Sequence, residues 1–322
     1  MFRISTYSLL LKSIAITLFI AGLTAAFALP LAGPNRPAQV PAHYVITPFG
    51  YFDPSCVAQL AKGDILRKDK KVIEHANGTS ESMRACAYPH YTANGEAITG
   101  DERAVQPPKI GHSWIEYASI TTTTAYGQVY AEWDVPPAPS TNDGQTVYLF
   151  NGLEDYKDVV TIVQPVLGWN SDYASAWGIA SWNCCESGTV YEATPAHVNS
   201  GDHLEGYVFD NCAPGTKICT SWDVVTVDDS NGNFSQLTAT SNFGQTFNWA
   251  FGGVLEVYNI VQCGDYPTPD YLGGIGFFNQ SVLNDKFQVI AAPAWKISNV
   301  SGGLSPQCGY GGSLPKQVVL TY

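Results

Sequence analysis

Two strand-like runs each place one hydrogen-bonding side chain among apolar neighbours. Gln164 lies within residues 159–169, and Glu256 lies within residues 253–260. A buried polar group without partners costs about 1–3 kcal/mol, so each residue is expected either to hydrogen-bond inside the core or to face a polar cleft. A glutamate in a partly dry cleft has a raised pKa and acts as general base and then acid. A glutamine N–H stabilises a developing oxyanion, so the two side chains together would activate water against an amide.

Strand periodicity assigns each of these side chains to one face of its strand. Glu256 shares a face with Val254 and Tyr258, and Gln164 shares a face with Ile162, because alternate residues of a strand point to the same side. The residues alone leave both interpretations open, since buried Gln and Glu commonly serve internal hydrogen bonds. A shared cleft is the condition that the catalytic interpretation has to meet.

The composition excludes several classes of function. The net charge is -12 with 16 Lys and Arg, which argues against a nucleic-acid surface and an anionic membrane partner, because both need a basic footprint. The sequence lacks the G-x-S-x-G, H-E-x-x-H, P-loop and G-x-G-x-x-G motifs. We therefore expect no metal site and no cofactor.

The first 28 residues predict an export signal. Arg3 and Lys12 flank a leucine-rich start, residues 13–27 are almost wholly apolar, and residues 26–28 offer a small-x-small cleavage site. No later stretch is long and apolar enough for a membrane span. We expect a secreted, extracellular protein that is soluble and monomeric after cleavage, with no membrane partner.

Eight cysteines in a chain with an export signal predict disulfides. Cys212 and Cys219 bracket a short loop and are the easiest local pair, whereas Cys184 and Cys185 are expected to reach two different partners. Four N-x-Ser/Thr sequons fit the surface loops of a secreted glycoprotein, at Asn77, Asn233, Asn279 and Asn299.

The chain is predicted to have three parts. Residues 1–28 form the signal peptide, residues 29–110 an N-terminal extension with a basic cluster at 67–71, and residues 111–322 an all-β domain. Runs of alternating hydrophobicity separated by turn residues predict a sandwich or barrel, with strands over 129–135, 146–153, 159–163, 174–182, 222–227, 234–239, 246–251, 253–261, 287–290 and 318–322. Residues 228–233 form a hairpin signal, and no segment after the signal peptide has a helical period.

Four short motifs resemble the glutamic peptidases of the eqolisin family. They are residues 133–137 (WDVPP), 150–154 (FNGLE), 163–167 (VQPVL) and 255–258 (LEVY), and the resemblance covers about residues 112–300. It implies a concanavalin A-like antiparallel β-sandwich of jelly-roll type that carries a catalytic Gln–Glu dyad. The dyad would be Gln164 as oxyanion stabiliser and Glu256 as general base and then acid.

The resemblance also implies a class of substrate and a segment that keeps the enzyme inactive until it is removed. The substrate would be a polypeptide, cleaved in an acidic environment, and residues 29–110 would match a removable pro-segment whose basic cluster masks an acidic cleft. The candidate substrate-binding residues are Phe150, Glu154, Trp177, Trp182 and Trp249. Each tryptophan is equally explained as a core aromatic.

Two alternatives to a peptidase remain open. A concave sheet lined with some of the eight Trp and eighteen Tyr would bind a glycan, although the chain lacks the E-x-D-x-E run expected of related glucanases and the paired carboxylates that a glycosidase needs. The other alternative is a secreted domain that kept the fold and lost catalysis. Proteolysis that depends on Gln164 and Glu256 would distinguish the peptidase from both.

Overall fold

The computed structural model describes residues 36–67, 71–83, 85–98, 113–157, 161–185, 188–269, 273–299, 306–314 and 317–322. The predicted signal peptide and residues 68–70 of the basic cluster lie outside these ranges. The described chain is built from β-strands and two short 3-10 turns, Pro54–Cys56 and Cys263–Asp265.

The N-terminal extension contains eight short strands. These are β1 (Val45–Thr47), β2 (Gly50–Phe52), β3 (Val57–Leu60), β4 (Ile65–Arg67), β5 (Val72–Glu74), β6 (Ser80–Ser82), β7 (His90–Tyr91) and β8 (Ala97–Ile98).

Longer strands form the main domain. These are β9 (Trp114–Thr121), β10 (Tyr126–Asp134), β11 (Thr146–Glu154), β12 (Ile162–Trp169), β13 (Trp177–Cys184), β14 (Val190–Ala193), β15 (Ala196–Val198), β16 (His203–Asp210), β17 (Trp222–Asp228), β18 (Asn233–Thr240), β19 (Trp249–Tyr258), β20 (Gly274–Asn284), β21 (Lys296–Asn299), β22 (Gly311–Ser313) and β23 (Val318–Thr321).

Two large sheets pack face to face as a sandwich. One has the order β21-β9-β19-β11-β12-β13-β14-β3, with β15 paired to β13, and the other has the order β22-β23-β20-β10-β16-β17-β18-β4-β5-β6. The core between them contains inward-facing residues of both sheets, among them Leu149, Leu255, Trp133 and Phe277. This arrangement confirms the predicted all-β sandwich, in which alternate residues of each strand enter the common core.

The extension is built into both sheets. Strand β3 pairs in parallel with β14, and β4 pairs in parallel with β18, while β1, β2, β7 and β8 form a separate four-stranded sheet. The extension is therefore a part of the sandwich edge and also a layer of its own.

Several predicted strands have different limits in the structure. The segments predicted over 246–251 and 253–261 are one strand, β19, because the register shift between Phe251 and Gly253 is absorbed as a bulge. Strand β12 runs through Pro165 to Trp169, whereas the prediction ended at residue 163. The predicted strand over 287–290 is replaced by a turn after β20, with one isolated bridge between Leu283 and Val289.

The disulfides correct one sequence-based expectation. Cys212–Cys219 is formed as predicted, and Cys56–Cys86 and Cys263–Cys308 account for four more cysteines. Cys184 and Cys185 are bonded to each other, so the expectation that they reach two different partners is wrong. The reason is that the other six cysteines pair among themselves, which leaves these two for one another.

Candidate active site

Gln164 and Glu256 lie on the same face of the nine-stranded sheet. In β12 and β19 the residues Val163 and Leu255 point into the core between the sheets, so their neighbours Gln164 and Glu256 point to the opposite side. We call this side, which carries Tyr148 and Phe150 as well, the outer face. The predicted alternation of these strands is confirmed.

A hairpin of the N-terminal extension covers the outer face. The β1–β2 hairpin (residues 45–52) places the ring of Phe49 6.2 Å from that of Trp182 and the ring of Tyr51 5.7 Å from that of Tyr258. The Tyr148 hydroxyl donates a hydrogen bond of 3.3 Å to the Ile46 carbonyl. The burial of the outer face therefore depends on aromatic contacts with the extension.

Gln164 is buried without hydrogen-bond partners for its side chain. Its exposure is 0%, and neither Nε2 nor Oε1 has a partner among the described residues. Gly152 makes room beside it, since a Cβ at Gly152 would lie 3.4 Å from the Cγ of Gln164 and 2.7 Å from the Val163 carbonyl oxygen. Buried amides are normally paired, so the unpaired amide of Gln164 is an unusual feature of this face.

Glu256 is also buried, but it has a partner. Its Oε1 accepts a hydrogen bond of 2.8 Å from the Tyr258 hydroxyl. Burial raises the pKa of Glu256 to about 8, against the opposing effect of hydrogen bonds from Tyr258, Ser113 and Trp114. The carboxyl group is therefore neutral in the covered state at acidic pH.

The strand register separates the two residues along the sheet. Glu256 is opposite Tyr148 on β11, whereas Gln164 is opposite Trp182 on β13 and lies beside Gly152 on its β11 side. Tyr148 and Gly152 are four residues apart, which is about 13 Å in a strand. No hydrogen bond joins Gln164 to Glu256 in the described chain.

Four of the five predicted substrate-binding residues lie on the outer face. Phe150, Trp182 and Trp249 belong to its aromatic cluster, and Glu154 is opposite Trp249 in the register. Trp177 instead points into the core between the sheets, where its ring lies 5.3 Å from that of Trp169. The structure therefore brings the first four together and places Trp177 elsewhere.

Sequence reasoning missed a pair of carboxyl groups on the β14 side of the outer face, where Glu192 is opposite Trp182. Asp172 and Glu192 are buried and hydrogen-bonded to each other, and burial raises the pKa of both. Gln59 of the extension also hydrogen-bonds to Glu192. The local pattern carries no signal for this pair, because Asp172 follows the end of β12 and one partner strand of Glu192, β3, is distant in the chain.

The described part of the basic cluster is not at the outer face. Arg67 ends β4, which lies between β18 and β5 in the ten-stranded sheet, and it pairs with Glu74 at 3.0 Å. The contacts that cover Gln164 and Glu256 are thus mainly aromatic and apolar, which differs from the expected electrostatic mask.

The described residues contain neither a metal-binding cluster nor a membrane-spanning helix. They contain no group of three or more His, Cys, Asp or Glu arranged to hold a metal ion. Within the same ranges, no helix has the length and apolar character needed to cross a membrane.

Comparison with known proteins returns similar structures and no similar sequences. No protein-family model matches the chain, and no curated protein matches its sequence. Scytalido-glutamic peptidase with a transition state analog inhibitor aligns with a TM-score of 0.49 at 14% identity, over 66% of this chain and 100% of that chain. SCP-B, a member of the eqolisin family in a complex with a tripeptide, aligns with a TM-score of 0.46 at 15% identity over the same shares. Likeness of this size does not by itself assign a function.

Proposed function

We propose that the chain is the precursor of a secreted, acid-acting endopeptidase of the glutamic type, which hydrolyses peptide bonds with an activated water. The observation that carries the proposal is the buried amide of Gln164, which has no partner on a face that it shares with Glu256. An unpaired amide costs about 1–3 kcal/mol in the folded chain. A function that needs the amide free, such as binding an oxyanion, accounts for its retention.

The proposed roles follow from the chemistry of the two groups. Gln164 donates its Nε2–H to the oxygen on which negative charge develops when water attacks the scissile carbonyl. The sequence-based assignment gives the role of general base and then acid to Glu256. No metal and no cofactor takes part in this scheme, and the substrate is a polypeptide.

The extension has the role of a cover in this proposal. Residues 29–110 would be the pro-segment, and the β1–β2 hairpin would keep substrate from the outer face until it is displaced. Because its pKa is raised, Glu256 is neutral at acidic pH while the hairpin covers it. A neutral carboxyl group cannot act as a base. Displacing the hairpin hydrates the carboxyl group and lowers its pKa, so activity at acidic pH requires the uncovered state.

The test compares proteolysis in full-length secreted chains. The uncovered chain carries Phe49→Ser and Tyr51→Ala, which remove the ring contacts of the hairpin with Trp182 and Tyr258. We expect it to cleave a denatured protein substrate between pH 3 and 6, and Gln164→Ala to lose that activity. Glu256→Gln tests the sequence-based assignment of the general base. Glu116→Gln is the matched control, since Glu116 is buried in the same sheet and is opposite Leu255, which points to the other face. Full activity in the Gln164→Ala chain would contradict the proposal.

A second candidate function is glycan binding, and an open groove favours it. Tyr117, Tyr156 and Trp249 line this groove of about 580 Å³ together with the hydroxyl groups of Ser119 and Thr121. Aromatic faces with flanking hydroxyl groups suit sugar rings. If this function is correct, soluble oligosaccharides will bind the chain and Tyr156→Ala will abolish binding without affecting the fold.

A further inference from the structure

Glu154 is the acidic residue nearest to Gln164 in the register of the sheet. Strands β11 and β12 are neighbours, and Glu154 is opposite Ile162, two residues before Gln164 on the same face. Diagonal neighbours of this kind are about 7–8 Å apart, within reach of long side chains. Glu256, by contrast, is on the far side of β11 and four residues away along it.

Both members of this pair are buried and have unsatisfied polar atoms. Glu154 and Gln164 each have 0% exposure. Both carboxyl oxygens of Glu154 and both amide atoms of Gln164 lack hydrogen-bond partners among the described residues. Four unpaired polar atoms on adjacent strands are costly, and one oxygen-containing ligand between the two side chains would satisfy several of them at once.

The pair adjoins the groove that opens to solvent. Trp249, the register partner of Glu154 on β19, is one of the walls of this groove. Tyr156 packs on Trp249 with its ring 5.1 Å away and is itself 55% exposed. Burial raises the pKa of Tyr117, another wall residue, and the nearby carboxyl group of Glu154 adds to this effect. An extended peptide entering this groove reaches Glu154 and Gln164 before it reaches Glu256.

We propose that Glu154 is the catalytic carboxylate that works with Gln164 on the substrate peptide. This inference rests on the proposed peptidase function. Burial raises the pKa of Glu154 well above its ordinary value, so Glu154 acts as base only once the site is uncovered and hydrated. Ionised Glu154 then accepts a proton from water as the water oxygen bonds to the scissile carbonyl carbon. The π electrons of the carbonyl move to its oxygen, which accepts a hydrogen bond from the Nε2–H of Gln164. Glu154 then passes the proton to the amide nitrogen, the C–N bond breaks, and a carboxylic acid and an amine leave.

This assignment gives Glu256 a positioning role. Its hydrogen bond holds the Tyr258 hydroxyl, and the ring of Tyr258 lies 6.1 Å from that of Tyr148 and 5.7 Å from that of Tyr51. Glu256 thereby orders the aromatic residues on which the hairpin docks. Its substitution is expected to affect docking of the hairpin more than the chemical step.

The test measures turnover and binding separately in the uncovered chain. General-base catalysis contributes about 10²- to 10⁴-fold, so Glu154→Gln is expected to lower kcat by that factor, while Glu256→Gln lowers it less than 10-fold. Glu154→Asp, which keeps a carboxyl group, is expected to recover part of kcat and to shift the pH profile. Glu116→Gln is again the control, and near-UV circular dichroism verifies the fold of each variant.

Binding of a peptide-based transition-state analog, in which a tetrahedral carbon bearing a hydroxyl group replaces the scissile carbonyl carbon, is the second measurement. We expect Glu154→Gln and Gln164→Ala each to weaken it at least 10-fold, with Glu256→Gln nearly unchanged. If the chain binds this peptide with that dependence and cleaves nothing, the peptidase function fails and the paired site stands. If Glu154→Gln cleaves and binds like the uncovered chain, or if only Glu256→Gln abolishes turnover, the inference is overturned.

Discussion

Two buried glutamines, Gln145 and Gln164, differ in the hydrogen bonding of their side chains, and this difference has measurable consequences. Gln164 has no hydrogen-bond partner for its side chain, whereas Gln145, also buried, donates to the Thr141 carbonyl at 2.8 Å and accepts from the Asp143 N–H at 2.9 Å. The first amide costs stability and the second contributes to it. The two glutamines therefore form a natural pair for testing whether the site is kept at the expense of stability.

Gln164→Met should stabilise the full-length chain. Methionine has a similar shape and no unpaired polar atoms, so the free energy of unfolding is expected to rise by about 1–3 kcal/mol. Gln145→Met should lower it by a similar amount, because Asp143 and Thr141 lose their partner. Guanidinium denaturation measures both, and a loss of stability in Gln164→Met would mean that its amide is satisfied in solution.

The pH dependence of stability follows from Glu256. Its folded pKa of about 8 lies above the ordinary value of 4.5, so the folded chain binds more protons than the unfolded chain between these values. The contribution of Glu256 is fully present below pH 4.5 and is lost as the pH rises through 8. We expect the unfolding free energy of the wild type to fall between pH 5 and pH 8.

Glu256→Gln should reduce this fall, since glutamine does not titrate. Glu116, whose pKa burial also raises to about 8, contributes with the same sign, so the remaining slope should shrink further in the double variant. The exposed Glu96→Gln is the control. An unchanged slope in Glu256→Gln would show that the carboxyl group is hydrated in the folded chain.

At the scale of elements, the β1–β2 hairpin determines which part of the outer face is accessible to a ligand. The hairpin covers the middle of the face through Phe49 and Tyr51, while the end next to Trp249 opens into the groove. Pairing of the face with the hairpin is aromatic, so salt should affect it little. A contact made by the predicted basic cluster at residues 67–71 would instead weaken as the salt concentration rises.

Phe49→Ser with Tyr51→Ala should expose the outer face without unfolding the sandwich. Both rings pack on the face and not in the core between the sheets. We expect faster hydrogen exchange at the amides of β1 and β2, and a red shift of the tryptophan emission. Tyr88→Ala, at a tyrosine with 53% exposure in the same extension, should change neither. Unaltered exchange in the double variant would show that other contacts hold the hairpin.

At the scale of the whole molecule, the extension is joined to the domain by strand pairing and packing. The described disulfides lie either within the extension, as Cys56–Cys86 does, or within the domain. Strands β3 and β4 nevertheless extend the two large sheets. A cut in the connection between Ile98 and Ser113 should therefore leave the two parts associated.

This association can be measured after inserting a specific protease site into that connection. The cut chain is expected to elute as one species in gel filtration and to give two bands on a denaturing gel without reductant. Raising the pH from 5 to 8 should promote dissociation, because buried carboxyl groups such as Glu256 and Glu192 become charged on uncovering. Dissociation at pH 5 that reverses at pH 8 would contradict the sign of this linkage.

The local sequence pattern was enough to predict the class of fold and the direction of the side chains in β12 and β19. Alternation placed Glu256 with Tyr258 and opposite in direction to Leu255, as the structure has them, because side-chain direction in a strand depends only on parity. Local pattern did not predict features that depend on pairing with strands distant in the sequence. The bulge between Phe251 and Gly253 depends on which strands pair. Trp177 and Trp182 are an odd number of residues apart on β13, so parity itself places them on opposite faces, and predicting both as groove walls was wrong for Trp177.

The sequence alone therefore determined that this is a β-sandwich with two unusual polar positions in its strands, since composition and periodicity are properties of neighbouring residues. Only the tertiary structure decided which acidic residue is beside Gln164. The register of β11 against β12 and β19 brings Glu154 next to it and leaves Glu256 with Tyr258. The same structure placed the β1–β2 hairpin against Trp182 and Tyr258, because contacts between segments more than 100 residues apart arise from the packing of sheets and not from local pattern.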